Sequence, residues 1–188
     1  MKISGNAVRP GYIIEHKNRL WLAVKIQHTQ PGKGGAYLQV EMKDIRDGTK
    51  LNERFRSSES VERVRLDERP FQYLFSDSGL LTLMDQETFD QITVAEELVG
   101  DALPFLEEGM MLTVSSHEGD VVGLCLPDKV TVRIQDTEPV VKGQTASASF
   151  KPATLENGVR VMVPPHVDSG TRIVVNTADA TYVERAKD

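Results

Sequence analysis

With one cysteine, Cys125, among 188 residues, the chain can form neither an internal disulfide nor a cysteine-built metal site. The setting of that thiol, Val121-Val122-Gly123-Leu124-Cys125-Leu126, reads as an apolar strand, so the sulfur is expected in a core. The four histidines, His16, His28, His117 and His166, are scattered and give no HExxH or paired ligand spacing, which argues against a metal centre. His28, close to a glycine-rich loop, reads as a surface residue. No segment approaches the roughly 18 apolar residues of a membrane span. The start, Met1-Lys2-Ile3-Ser4-Gly5-Asn6, lacks the apolar stretch of a secretory signal. A soluble, cytoplasmic chain is therefore expected. Carboxylates are plentiful, but no pair stands apart for acid/base work and no nucleophile meets a base. An enzyme is not expected, and no cofactor is called for.

What the chain does have is a succession of short β-patterned runs bounded by Gly, Pro, Asp and Asn. They are 12–14, 20–26, 36–42, 54–55, 80–84, 111–115, 121–126, 130–134, 159–163 and 172–176. Many short strands with frequent turn residues predict small β-barrels. One short helix is expected around Val94 to Leu98, with Glu96 and Glu97 facing water. Charge divides the chain further. Residues 1–66 hold 13 Lys+Arg against 7 Asp+Glu, net +6; residues 67–128 hold 1 against 14, net −13; residues 129–188 hold 8 against 7, net +1. The sign changes at Asp67-Glu68-Arg69-Pro70, and Pro127-Asp128-Lys129 separates two β runs. Three domains are expected at 1–66, 67–128 and 129–188, the first drawn to phosphates and the second repelled by them or drawn to a basic protein.

Between two of the alternating runs lies Pro31-Gly32-Lys33-Gly34-Gly35-Ala36-Tyr37. The spacing is wrong for a P-loop, in which four residues separate the first glycine from a Gly-Lys-Ser/Thr. It fits a hairpin tip instead, with glycines 32, 34 and 35 expected to take positive φ and to leave one ammonium exposed on a bare backbone. A lone lysine in such a turn is by itself an ordinary solvated charge. The cations Lys43, Arg46, Lys50, Arg54 and Arg56 are interleaved in sequence with Glu41, Asp44, Asp47 and Glu53, so they too fit an ordinary solvated face as well as a binding one.

Taken together, three ordered stretches resemble the bacterial elongation factor P family. The first is Val8-Arg9-Pro10-Gly11 followed by His28-Thr29-Gln30-Pro31-Gly32-Lys33-Gly34-Gly35-Ala36. The second is Thr137-Glu138-Pro139 followed by Val141-Lys142-Gly143. The third runs from Lys151-Pro152-Ala153-Thr154-Leu155-Glu156-Asn157-Gly158 through Val161-Met162-Val163-Pro164 and Ile173-Val174-Val175-Asn176-Thr177 to Tyr182-Val183-Glu184-Arg185. The resemblance covers the whole chain. It implies an all-β, L-shaped fold of an SH3-like, KOW-type domain and two OB-type domains. It also implies a monomer that binds both ribosomal subunits between the peptidyl-tRNA and exit sites and relieves stalling at consecutive prolines.

In that reading Pro31, Gly32, Lys33, Gly34 and Gly35 lie beside the CCA end of the peptidyl-tRNA. Lys33 is the residue extended, in many bacteria by a β-lysyl group that a lysine-modifying enzyme attaches. Gly143, Gln144 and Thr145 lie near mRNA in the exit-site codon, while Tyr182 and Arg185 face RNA on the small subunit. The chain departs from the family in Gln144, where aspartate is usual and which puts the codon contact in question. It also departs in His166 for phenylalanine and Asn157 for threonine. A lysine tip argues against rhamnosylation, which needs arginine. Three other readings stay open: a general KOW/OB RNA-binding protein, an elongation factor P-like paralogue, and an enzyme acting on a small substrate.

Overall fold

The computed structural model describes residues 1–140 and 149–187. Among them are sixteen strands and three short 3-10 segments, at Gly5–Ala7, Glu96–Leu98 and Gly100–Phe105. By spatial proximity the chain separates into two compact units, residues 1–68 with 115–123, and residues 69–114 with 124–188.

The first unit holds a six-stranded sheet built from β1 (Lys2–Ser4), β2 (Ile13–His16), β3 (Arg19–Thr29), β4 (Tyr37–Asp44), β5 (Lys50–Arg56) and β6 (Ser60–Val64), in the order β1-β6-β2-β3-β4-β5. Alternation explains its core. Leu38, Val40 and Met42 of β4 point inward and are completely buried, joined by Val8, Ile14, Trp21, Ala23, Phe55 and Val61. The chain crosses tightly over this core at Gly5, where an added Cβ would stand 2.3 Å from the Arg56 carbonyl oxygen. Only a residue without a side chain permits that approach.

A second sheet, in the order β11-β10-β7-β8-β9, is formed by β7 (Asp67–Asp77), β8 (Leu80–Asp85), β9 (Gln91–Ala95), β10 (Met111–His117) and β11 (Asp120–Cys125). The third has the order β14-β13-β12-β15-β16. Its strands are β12 (Lys129–Thr137), β13 (Lys151–Leu155), β14 (Arg160–Val163), β15 (Arg172–Asn176) and β16 (Thr181–Arg185). Ile134, Leu155, Val163, Val167, Ile173 and Val175 supply its core, each no more than 1 % exposed.

Three expectations from the sequence need correction. No helix covers Val94–Leu98: β9 runs to Ala95, with Val94 buried opposite Leu81, and only Glu96–Leu98 turns, as a 3-10 segment. The local apolar spacing suits either structure, and pairing with β8 decides it. Cys125 is exposed rather than in the core. Val122, Leu124 and Leu126 take the inward positions, so the period of two sends position 125 outward. Of the tip glycines 32, 34 and 35, only Gly34 adopts positive φ, at 121°.

Six strands, β1, β6, β7, β9, β13 and β16, fell outside the β runs read from sequence. β7 was hidden by its own composition, because Asp67-Glu68-Arg69-Pro70 resembles a linker. Pro70 is accommodated because it precedes the first β8 pair, Phe71 with Asp85, and its carbonyl accepts the Gln86 N–H at 3.1 Å.

Candidate functional site

The β3–β4 ladder closes at the pair Thr29–Tyr37, and residues 30–36 form the connecting loop with Lys33 at its middle. Pro31, Gly32, Lys33, Gly34 and Gly35 are all exposed. Nothing lies within 4 Å of the Cβ positions that Gly32 and Gly35 would have. The base of the loop is fixed. Leu38 is completely buried and faces Phe55 across the sheet, and the Ser57 N–H donates to the Ala36 carbonyl at 3.2 Å. The loop thus presents a free ammonium on a bare backbone that is held at its root by the core.

Beside that root, register gathers the cations. One face of β4 carries Tyr37, Gln39, Glu41 and Lys43, directly opposite Arg56, Arg54, Asn52 and Lys50 of β5, while Lys25 of β3 stands opposite Glu41. The acids interleaved with these cations in sequence mostly point elsewhere. Asp44 is 4 % exposed and bound at 2.6 Å by the Arg19 guanidinium, which also holds Asp47. Glu53 lies 3.1 Å from His16 and 3.2 Å from Lys17. Partial burial opposes its charge, but those two partners prevail and hold its carboxyl below the usual range. Glu41 is therefore the one carboxylate on these paired rows, against Lys25, Lys43, Lys50, Arg54 and Arg56. Lys43 opposite Lys50 is a like-charge pair, which costs stability in a sheet and suits an anionic partner. Arg54 lies 4.3 Å from the centre of the Tyr37 ring, so one cation is already aligned beside the loop.

In the last domain, Tyr182 and Arg185 are three apart on β16, which in a regular strand sends them to opposite faces. A register shift changes the phase: Tyr182 stands opposite Val175 and Arg185 opposite Ile173, two positions on one side of β15. Tyr182 is half-buried and meets Phe150 edge to face, with ring centres 6.5 Å apart; Arg185 is exposed. Gly143, Gln144 and Thr145 lie outside the described residues. His166 is exposed, and Asn157 accepts the Val159 N–H at 3.1 Å in the turn before β14, which explains how asparagine fits there. Phe150 was missed by the sequence reading, since no periodicity ties it to Tyr182. Among the described residues no group of His, Cys, Asp or Glu is placed to hold a metal ion, and no helix is long and apolar enough to cross a membrane.

Comparison with known proteins identifies the family. Residues 4–61 match the elongation factor P KOW-like domain, residues 66–124 the elongation factor P OB domain, and residues 130–185 the elongation factor P C-terminal domain. Elongation factor P of Parvibaculum lavamentivorans is 60% identical over 186 residues, spanning 99% of this chain and 100% of that protein. The Rhizorhabdus wittichii protein of the same name is 59% identical with the same coverage. A solved structure of a eukaryotic translation initiation factor 5A from Methanococcus jannaschii superposes with a TM-score of 0.55 at 20% identity. It covers 66% of this chain and 93% of its own, a likeness of fold. The chain belongs to the elongation factor P family of translation elongation factors.

Proposed function

We propose that the protein binds the ribosome between the peptidyl-tRNA and exit sites and accelerates peptide bond formation where consecutive prolines stall it. The observation that carries this reading is the exposed Lys33 at the middle of a loop whose root is fixed in the core beside a face of five cations. Such a face is suited to the phosphates of an RNA stem, and a single ammonium on a narrow glycine tip is suited to reach the CCA end of the peptidyl-tRNA. The protein supplies no nucleophile and no base in this scheme. It lowers the barrier by holding the ribosome's substrates in a reactive geometry, an entropic and electrostatic effect. Extension of Lys33 by an aminoacyl group such as β-lysyl lengthens that reach and adds a donor, and the open surroundings of Gly32 and Gly35 leave room for the modifying enzyme. Gly143, Gln144 and Thr145 are assigned to the exit-site codon, with Tyr182 and Arg185 on the RNA of the small subunit. The last domain's modest net charge permits such contacts, which the acidic middle segment disfavours.

The test is reconstituted synthesis of a Pro-Pro-Pro peptide with wild-type protein and with Lys33→Ala. Acceleration by wild type alone is the expected result. Equal acceleration by both removes the tip lysine from the mechanism. Mass spectrometry of the protein from its native cells reports the state of Lys33, and recombinant protein with and without that mass addition separates the two forms.

A further inference from the structure

The last domain carries a groove of about 470 Å³ that the family match does not explain. It is lined by the cross-strand pair Pro152–Met162 of β13 and β14, by the ring pair Phe150 and Tyr182, and by Arg160 of β14. Phe150 is 53% and Met162 51% exposed. Both line the same groove, so they form a contiguous apolar patch, the kind of surface that marks an interaction site. The Phe150 and Tyr182 planes meet at 89°, and with Phe150 53% exposed among the described residues the pair presents aromatic surface to the groove.

We infer that this groove holds one unpaired RNA nucleotide, its base stacked on the Phe150/Tyr182 pair over Met162 and its phosphate held by Arg160. Three features favour a nucleotide over an apolar peptide. The volume suits a single small ligand rather than a helix. The aromatic pair offers a flat stacking platform of the kind that binds bases without reading their sequence. Among the described residues the one charged side chain lining the groove is a guanidinium, which complements a phosphate and gains nothing from an apolar side chain. The inference rests on the proposed reading and deepens it by naming a stacked, unpaired nucleotide as an RNA contact of the last domain, but neither Lys33 nor a ribosome is needed to test it.

Full-length protein carrying Phe150→Trp is titrated with pentauridylate, a single strand with little stacking of its own. Saturable quenching of the new indole emission is expected. In fluorescence anisotropy with labelled pentauridylate, Phe150→Ala is expected to weaken binding about tenfold. Arg160→Ala should reduce the slope of log affinity against log salt by about one. Both side chains are exposed, so the thermal melts should match wild type. Lys33→Ala should bind as wild type does, so loss of polyproline rescue with intact oligonucleotide binding counts against the tip mechanism and not against the groove. Absence of saturable quenching, or unchanged affinity in Phe150→Ala, overturns the inference. So does more effective displacement of the oligonucleotide by a proline-rich peptide of equal length, which assigns the groove to a protein.

Discussion

Lys33 contributes almost nothing to stability. It is exposed, with flanking glycines whose surroundings are open, so Lys33→Ala should leave the melting temperature within about 1–2 °C of wild type while rescue of Pro-Pro-Pro synthesis is lost. A large drop in melting temperature alongside lost rescue would make the defect one of folding. Gly34 is different, because its φ of 121° is one that a side chain rarely adopts. Gly34→Val should force the loop into another path without disturbing Leu38 and Phe55 below it. Rescue is expected to fall while the melt is nearly unchanged, and full rescue would show that the tip tolerates a different backbone. The sequence made this loop legible because glycine spacing is a local signal. It did not make the cationic face legible, since acids and bases alternate along β4 and β5 and only the ladder shows that Asp44 and Glu53 leave the face while Arg54 and Arg56 stay on it.

Two hairpin turns share one hydrogen-bond scheme, and a different residue type takes the left-handed position in each. In residues 44–49 the Asp44 N–H donates to the Thr49 carbonyl, and Asp44 Oδ1 accepts the Arg46 and Asp47 N–H groups. Arg19 clamps the carboxylate, and Gly48 takes φ 75°. In residues 85–90 the Asp85 N–H donates to Asp90, Asp85 Oδ1 accepts from Glu87 and Thr88, and Arg69 clamps it, but the left-handed position belongs to Phe89 at φ 63°. A bulky residue there is strained, and Phe89 is 68% exposed, so its ring recovers little by packing. Phe89→Gly should therefore stabilise the fold, by up to about 1 kcal/mol after glycine's greater unfolded freedom is set against the relieved strain. A urea titration showing a lower midpoint would mean that the ring packs in a way its exposure conceals. The Asp85 carboxyl is held below its usual range first by the Glu87 N–H, then by the Thr88 N–H and Arg69, against the opposing effect of burial. A depressed folded pKa stabilises the fold above the ordinary carboxylate value near 4 and ceases to do so as pH falls through the folded value. Asp85→Asn should thus be less stable than wild type at pH 7, with the gap narrowing below about pH 4. A gap independent of pH would make the loss one of hydrogen-bond geometry alone. Elements such as β9 and β16 were illegible for a related reason: pairing partners far along the chain, not local period, decide what five residues become.

Over the whole molecule, charge is partitioned so that one segment attracts phosphates and the next repels them. Residues 1–66 carry net +6 and residues 67–128 net −13, and Arg69, the only Lys or Arg of the latter, is engaged by Asp85 and Glu87. If the cationic face of β4 and β5 meets RNA phosphates, ribosome affinity must fall with salt, and each lost phosphate contact must flatten that dependence. The double variant Arg54→Ala, Arg56→Ala is therefore expected to reduce the slope of log affinity against log salt by about two, measured by sedimentation with ribosomes. An unchanged slope would place the RNA contacts elsewhere. On the same reading the acidic segment repels phosphates, which would keep a protein with a basic domain from binding the bulk RNA of the cell. Glu107 and Glu108 are both exposed, so Glu107→Lys, Glu108→Lys reverses charge without disturbing the core. That variant should bind unstructured RNA more tightly at low salt than wild type does, while its gain on ribosomes is smaller. Selectivity for the ribosome then falls even though no contact has been removed. Equal gains on both would mean that the negative charge merely weakens all RNA binding, and that selectivity rests on shape.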